Sequence, residues 1–192
     1  MANLSEERLE KDSAMGKRNG KTGNTGIDEN GLIASFTVDH ERLQPWIYLS
    51  RMDTDPATGS IVTTFDIRMT APNREPVLDT ATIHAIEHIG ATYLRNESNI
   101  RERVVYFGPM GCRTGFYLIL FGWYRPEDAV DTVRGMFRHI SSYEGEVPGA
   151  KPAECGNWHD INLNMARWAA SRFLERDMDA PGKPILEYPS AE

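Results

Sequence analysis

The chain has 192 residues, 40% of them hydrophobic, with 28 acidic against 21 basic side chains and a formal net charge of −7. One domain of this size can bury about two thirds of its unfolded surface, and the acidic balance provides no broad basic surface for a phosphate backbone, so a nucleic-acid role is not expected. No apolar run approaches the roughly 18 residues of a membrane span and the N-terminus lacks the apolar core of a signal peptide, which makes the cytoplasm the expected compartment and a small molecule or a protein the expected partner.

Residues 1–30 are polar and punctuated by glycine, with mixed charges in Glu6-Glu7-Arg8 and Glu10-Lys11-Asp12. With little to bury, they read as a disordered extension ahead of a catalytic domain over 31–178 and a loose tail over 179–192. Residues 32–38, 46–52 and 60–69 are rich in β-branched and aromatic side chains, and 53–59 joins the latter two as a hairpin loop. Along the third of these strands Phe65, Ile67 and Met69 alternate with Asp66 and Arg68, so the two charges share the face opposite the apolar set. Arg68 is therefore available to a polar ligand or to a salt bridge on the strand surface.

A helix follows, with Asp79 or Thr80 as its N-cap and Ile83, Ile86 and Ile89 giving apolar cover. Residues 104–107 and 116–123 read as two further strands, and Gly108-Pro109-Met110-Gly111-Cys112-Arg113-Thr114-Gly115 between them must bend. Pro126 starts a helix to about residue 142, with Glu127 and Asp128 complementing its dipole and Val130, Val133, Phe137 and Ile140 forming its stripe. A Pro/Gly-rich connection leads past Cys155 to a last helix marked by Leu163, Ala166, Ala170, Phe173 and Leu174. Strands and helices that do not alternate regularly predict an α+β fold: one metal-binding domain in which an antiparallel β-sheet packs against helices.

Chemistry concentrates in His84-Ala85-Ile86-Glu87-His88. On a helix the two imidazoles project one turn apart from nearly the same face, where both can reach one ion, and Glu87 stands close enough to act as a base without being a ligand. The same spacing also arises in histidines that are merely hydrogen-bonded. His-x-x-Glu-His is further the inverted zinc motif of one class of metallopeptidases, in which a downstream glutamate, here Glu154, would complete the site. A non-catalytic metal-sensing or structural module is the third reading. The two cysteines, Cys112 and Cys155, are expected to be free thiols rather than a disulfide. Cys112 reads either as a reactive thiol or as a small buried apolar residue.

The order of His84-x-x-Glu87-His88, Gly108-Pro109-Met110-Gly111-Cys112-Arg113-Thr114-Gly115 and Glu154-Cys155-Gly156-Asn157 resembles the S-ribosylhomocysteine lyase (LuxS) family. The resemblance runs from about Ser35 to Arg176 and includes Ser35-Phe36-x-x-Asp39-His40 and Phe65-Asp66-Ile67-Arg68. It implies a carbon-sulfur lyase that converts S-ribosyl-L-homocysteine to L-homocysteine and 4,5-dihydroxy-2,3-pentanedione, the precursor of the autoinducer-2 signal in quorum sensing. The carbonyl is walked along the ribose by proton transfers until β-elimination expels homocysteine, returning it to methionine metabolism. The resemblance casts His84, His88 and Cys155 as ligands of one divalent metal per subunit, typically Fe(II), with Zn(II) or Co(II) as substitutes. It casts Cys112 and Glu87 as the acid/base pair, and Ser35, His40 and Arg68 as substrate contacts, with Arg68 suited to the homocysteine carboxylate. A nearby metal and Arg113 are expected to favour the Cys112 thiolate. The family forms homodimers with active sites near the subunit interface. Two positions depart from its commonest pattern: Tyr106 stands where many members have an acidic residue, and Ile161 where a histidine is frequent. His139 and His159 are assigned no ligand role.

Overall fold

Alternation along one strand decides the architecture. In the computed structural model, which describes residues 36–180 and 188–189, β1 (Trp46–Thr54), β2 (Ile61–Arg68), β3 (Val104–Pro109) and β4 (Gly115–Phe121) form an antiparallel sheet in the order β1-β2-β4-β3. Residues directly opposite one another share a face. Leu49, Phe65, Leu118 and Phe107 thus make one cross-strand row, and Ile47, Ile67 and Phe116 a second, on the side that enters the core. Tyr48, Asp66 and Tyr117 line up on the other side, with Arg68 opposite Gly115.

The apolar face is covered by α1 (Thr80–Asn96), α2 (Pro126–Ser141) and α3 (Leu163–Phe173). Gly90 lets α1 pass against the sheet: a Cβ there would stand 2.6 Å from the Phe107 ring of β3 and 3.1 Å from Met136 of α2. Phe137 of α2 meets Phe173 of α3 edge-on, 4.9 Å between centroids. Among the described residues this is the expected α+β arrangement, a four-stranded antiparallel sheet with three α-helices.

The helix ends follow from side-chain chemistry. Asp79, not Thr80, caps α1: one carboxylate oxygen accepts from the Thr82 backbone N–H at 2.9 Å and the other from its hydroxyl at 2.6 Å. Pro126 opens α2, where Asp128 accepts from the Arg125 N–H at 2.9 Å, and Asn162 caps α3 through the Met165 N–H at 3.0 Å. A π-type turn, Leu174–Met178, carries the chain past α3.

The strand expected over 32–38 is absent where it can be seen. Of its residues 36–38 only Val38 makes an isolated bridge. The cause is Asp39, whose side chain accepts from the Glu41 and Arg42 N–H groups at 2.9 and 3.2 Å and so bends the chain into a turn instead of an extended partner. β4 stops at Phe121 because Gly122 adopts φ +107° and turns its N–H to the Ile61 carbonyl, 2.8 Å away. The extension over 1–30 and Ser35 lie outside the described residues. Within the tail, Tyr188 stacks on Tyr48 with centroids 5.0 Å apart.

Gly115 is the tightest point of the sheet, since a Cβ there would lie 2.1 Å from the Ile67 carbonyl oxygen and 3.0 Å from the Arg68 Cα. Backbone cannot yield as a flexible side chain can. Gly115→Ala is expected to destabilise the domain by about 2–3 kcal/mol, read as a fall in Tm of roughly 5–10 °C by thermal unfolding.

Candidate active site

The chemistry-bearing residues gather in two places. The first lies on the helical layer, where His84 and His88 project from α1 with their rings 4.5 Å apart and nearly perpendicular. Each ring is oriented by a backbone carbonyl: His84 Nδ1 sits 2.9 Å from the Asp160 oxygen and His88 Nδ1 2.6 Å from that of Pro148. A carbonyl can only accept, so each Nδ1 carries the proton and each Nε2 keeps its lone pair for an ion. Cys155 completes the group with Sγ 3.3 Å from His84 Nε2, and the three donor atoms lie within 4.8 Å of one another. Tetrahedral bonds of about 2.1 Å to nitrogen and 2.3 Å to sulfur place such donors roughly 3.5 Å apart, so the set fits a single metal ion with a fourth position open. The Asn157 N–H donates to the sulfur at 3.4 Å. Glu154 is exposed and does not join the group, and neither does His159, whose ring lies against Trp158.

Two parts of this centre were not visible in side-chain pattern. Pro148 and Asp160 act through carbonyls, which every residue has. Gly149, at φ +73°, lies so close to His88 that a Cβ would stand 3.0 Å from Nδ1, and the Gly-rich character of the connection was its only signal.

The second place is the opposite sheet face. Cys112 sits in the turn between β3 and β4, closed by bonds from the Met110 N–H to the Gly115 oxygen and from the Arg113 N–H to the Met110 oxygen, with Arg113 at φ +60°. Both cysteines are free, and Cys112 is exposed rather than buried as a small apolar residue would be. Its sulfur is 3.0 Å from the Thr114 hydroxyl and receives an Arg68 Nη1–H at 3.6 Å. Burial pushes the Cys112 thiol up, but the Thr114 hydroxyl and N–H and the Arg68 guanidinium outweigh it and hold the thiol below its usual range. The expected cation, Arg113, is thus replaced by Arg68, whose strand position aims it at the sulfur.

Arg68 is only 4% exposed. Its Nη2 pairs with Asp66 Oδ2 and its Nη1 with the Thr114 hydroxyl as well as the sulfur. Both terminal nitrogens are committed within the chain, a departure from the free fork that a carboxylate ligand would meet. His40, with Nδ1 2.9 Å from the Val38 oxygen, joins Asp66, Arg68, Cys112, Tyr117 and Tyr188 around a cavity of about 220 Å³. That cavity includes none of His84, Glu87, His88 and Cys155. Glu87 is half-buried on α1, next to His88 in the chain.

A lowered thiol pKa makes the thiolate, and so the nucleophile, present at lower pH than in a free cysteine. Replacing Thr114 by the isosteric valine removes a donor that favours the charged form. Iodoacetamide labelling of Cys112 as a function of pH should therefore rise through a higher midpoint in Thr114→Val than in the parent chain, with the rate at neutral pH falling about threefold or more.

The sequence as a whole is similar to known proteins. Residues 33–183 match the model of the family S-Ribosylhomocysteinase (LuxS). A protein of Finegoldia magna named S-ribosylhomocysteine lyase is 54% identical over 142 residues, 74% of this chain and 88% of that one. Those of Clostridium acetobutylicum and Desulfotalea psychrophila, of the same name, are 52% and 45% identical, each across 82% of this chain and 98% of their own. With that much of its length matched, the chain belongs to the S-ribosylhomocysteine lyase (LuxS) family.

Proposed function

We propose that this chain is a carbon-sulfur lyase that cleaves S-ribosyl-L-homocysteine to L-homocysteine and 4,5-dihydroxy-2,3-pentanedione. The observation that carries the reading is the convergence of His84, His88 and Cys155 on one point in a chain that separately holds Cys112 against the Thr114 hydroxyl and the Arg68 guanidinium. The inverted-motif peptidase reading loses its support, because Cys155 and not Glu154 stands with the histidines.

In this mechanism His84 Nε2, His88 Nε2 and Cys155 Sγ hold one divalent ion, with Fe(II) the resident and Zn(II) or Co(II) able to replace it. When bound, the ion supplies Lewis acidity that polarises a substrate carbonyl or hydroxyl oxygen. The Cys112 thiolate takes the proton from the hydroxyl-bearing carbon beside the carbonyl and returns it to the former carbonyl carbon, while the hydroxyl proton passes to the former carbonyl oxygen, so the carbonyl moves one carbon without net redox change. Glu87 takes the proton whose loss breaks the carbon-sulfur bond, and the homocysteine sulfur leaves with the electron pair and is protonated. Ser35 and His40 contact the substrate. The products place the reaction in methionine metabolism and in the supply of a quorum-sensing precursor, in the cytoplasm.

The sheet bears on how the two groups meet. Cys112 opens on the face away from the helices and the metal donors lie on the helical layer, so a second chain is the natural source of the other half. That open face carries Tyr106 and Phe121, 44% and 50% exposed, beside Val62 and Ile119, and a contiguous apolar patch of this kind suits a partner surface. A homodimer that uses this patch and brings the Cys112 cavity of one chain to the metal centre on its partner's helical layer would complete the site. The 220 Å³ cavity is smaller than the roughly 300–1,000 Å³ of most ligand sites, as half a site should be.

The test follows free-thiol release from S-ribosyl-L-homocysteine by anaerobically purified, iron-loaded protein. Release is expected from the parent chain, with Cys112→Ala and His88→Ala both inactive. Mixing these two variants with subunit exchange should restore about a quarter of parental activity, because half the dimers are mixed and each has one intact site. Failure of the folded, metal-loaded parent to release thiol would overturn the lyase reading, and failure of the mixture alone would place both halves in one chain.

A further inference from the structure

Tyr188 lies outside the residues matched to the family, 33–183, yet it reaches back into the Cys112 cavity. Its ring stacks on Tyr48 at 5.0 Å and 14° between planes, and the Asp39 N–H donates to the neighbouring Pro189 oxygen at 3.1 Å. The segment is therefore held on both sides of His40, by β1 and by the turn at Asp39. The Tyr188 hydroxyl donates to Asp66 Oδ2 at 2.9 Å, the same oxygen that pairs with Arg68 Nη2.

Asp66 has little else. It is 1% exposed, and its Oδ1 has no hydrogen-bond partner among the described residues. Its carboxylate charge is thus answered at one oxygen by two donors, Arg68 and Tyr188. Arg68 in turn divides its charge between Asp66 on one side and Thr114 and Cys112 on the other. Whatever loosens Asp66 from Tyr188 leaves more of its charge for Arg68 to satisfy, and draws the guanidinium away from the sulfur.

We propose that Tyr188 is a positioning residue for the reaction: through Asp66 it holds Arg68 against Cys112, so the end of the chain sets the state of the catalytic thiol. Burial pushes the Tyr188 hydroxyl up, and the Asp66 charge adds to it, so it stays protonated and remains a donor throughout the range in which Cys112 titrates. The ring contributes a wall of the cavity, and the hydroxyl contributes the coupling.

The proposal rests on the lyase reading for its kinetic arm only, since alkylation reads Cys112 directly. Tyr188→Phe keeps the ring on Tyr48 and removes the hydroxyl, whereas Tyr188→Ala removes both. In metal-loaded full-length protein, carbamidomethylation of Cys112 is followed against pH by peptide mass spectrometry, which separates it from Cys155. Tyr188→Phe is expected to move the midpoint to higher pH and slow labelling at neutral pH about threefold or more. kcat for thiol release should fall in parallel with KM little changed and Tm as in the parent chain. A Phe variant with the parental alkylation profile would overturn the proposal, including the case in which only the Ala variant is impaired, because the ring would then be acting as wall alone. A shifted alkylation profile in protein that releases no homocysteine would uphold the positioning role while removing the lyase reading.

Discussion

The buried Asp66-Arg68 pair on β2 is the constraint on which the thiol half of this molecule depends. Taking two opposite charges out of water is favourable only where the remaining polar atoms are satisfied, and removing one member leaves a buried charge that destabilises by about 3–5 kcal/mol. The surroundings meet that demand in part, since Asp66 Oδ1 and Arg68 Nε have no hydrogen-bond partner among the described residues. Gly115 stands opposite Arg68 and lets the β4 backbone close in, which brings the Thr114 hydroxyl to Arg68 Nη1. Once Thr114 is there, Cys112 two residues earlier has its sulfur within 3.0 Å of the same hydroxyl. The cysteine's electrostatic setting is thus a by-product of satisfying a charge that the strand pattern buries.

The sheet separates this half from the metal donors, but the chain ties the two mechanically. The segment leaving β2 runs along the Cys112 turn, with the Met69 and Thr70 N–H groups donating to the Thr114 oxygen and the Leu78 N–H to the Arg113 oxygen. The next residue is Asp79, the cap of α1. The turn that carries the thiol therefore fixes where the histidine helix begins. From the other side Asn162, the cap of α3, donates its N–H to the Ala81 oxygen of α1 and stands two residues from the Asp160 carbonyl that orients His84. Ligands and thiol sit on different faces of one rigid framework, which is the condition for two chains to bring them together in a fixed geometry.

Much of this was legible in the residues. Period-two alternation over β2 and the apolar stripe of α2 gave those elements and their buried faces, because burial on one side is what such patterns encode. The histidine pair of the candidate metal site was legible because side-chain donors at helical spacing can be read directly, whereas Cys155 entered only through the resemblance. Three things escaped for identifiable reasons. Residues 36–38 have strand-forming types, but the Asp39 side chain offers the backbone a competing turn. Arg113 adjoins Cys112 in sequence, yet it is Arg68, 44 residues distant, that lies against the sulfur and supplies the charge. Tyr188 meets Asp66 across 122 positions, a distance at which local pattern carries no information.

The shared guanidinium also bears on what kind of base Cys112 would make in the proposed reaction. A residue that must take a proton and give it back works best when its pKa lies near the operating pH, and stabilising the anion too strongly weakens it as a base. Arg68 alone, turned wholly onto the sulfur, would push the thiol far down. Here Asp66 claims Nη2, and the contact from Nη1 to sulfur is 3.6 Å against 3.0 Å for the neutral Thr114 hydroxyl. The thiolate is favoured by a hydroxyl close at hand and a cation held slightly back, which lowers the barrier to losing the proton while keeping the sulfur basic enough to reclaim one. In the proposed reaction, moving a carbonyl along a sugar would require both in succession, and Asp66, by holding Arg68 back, would allow one sulfur to do both.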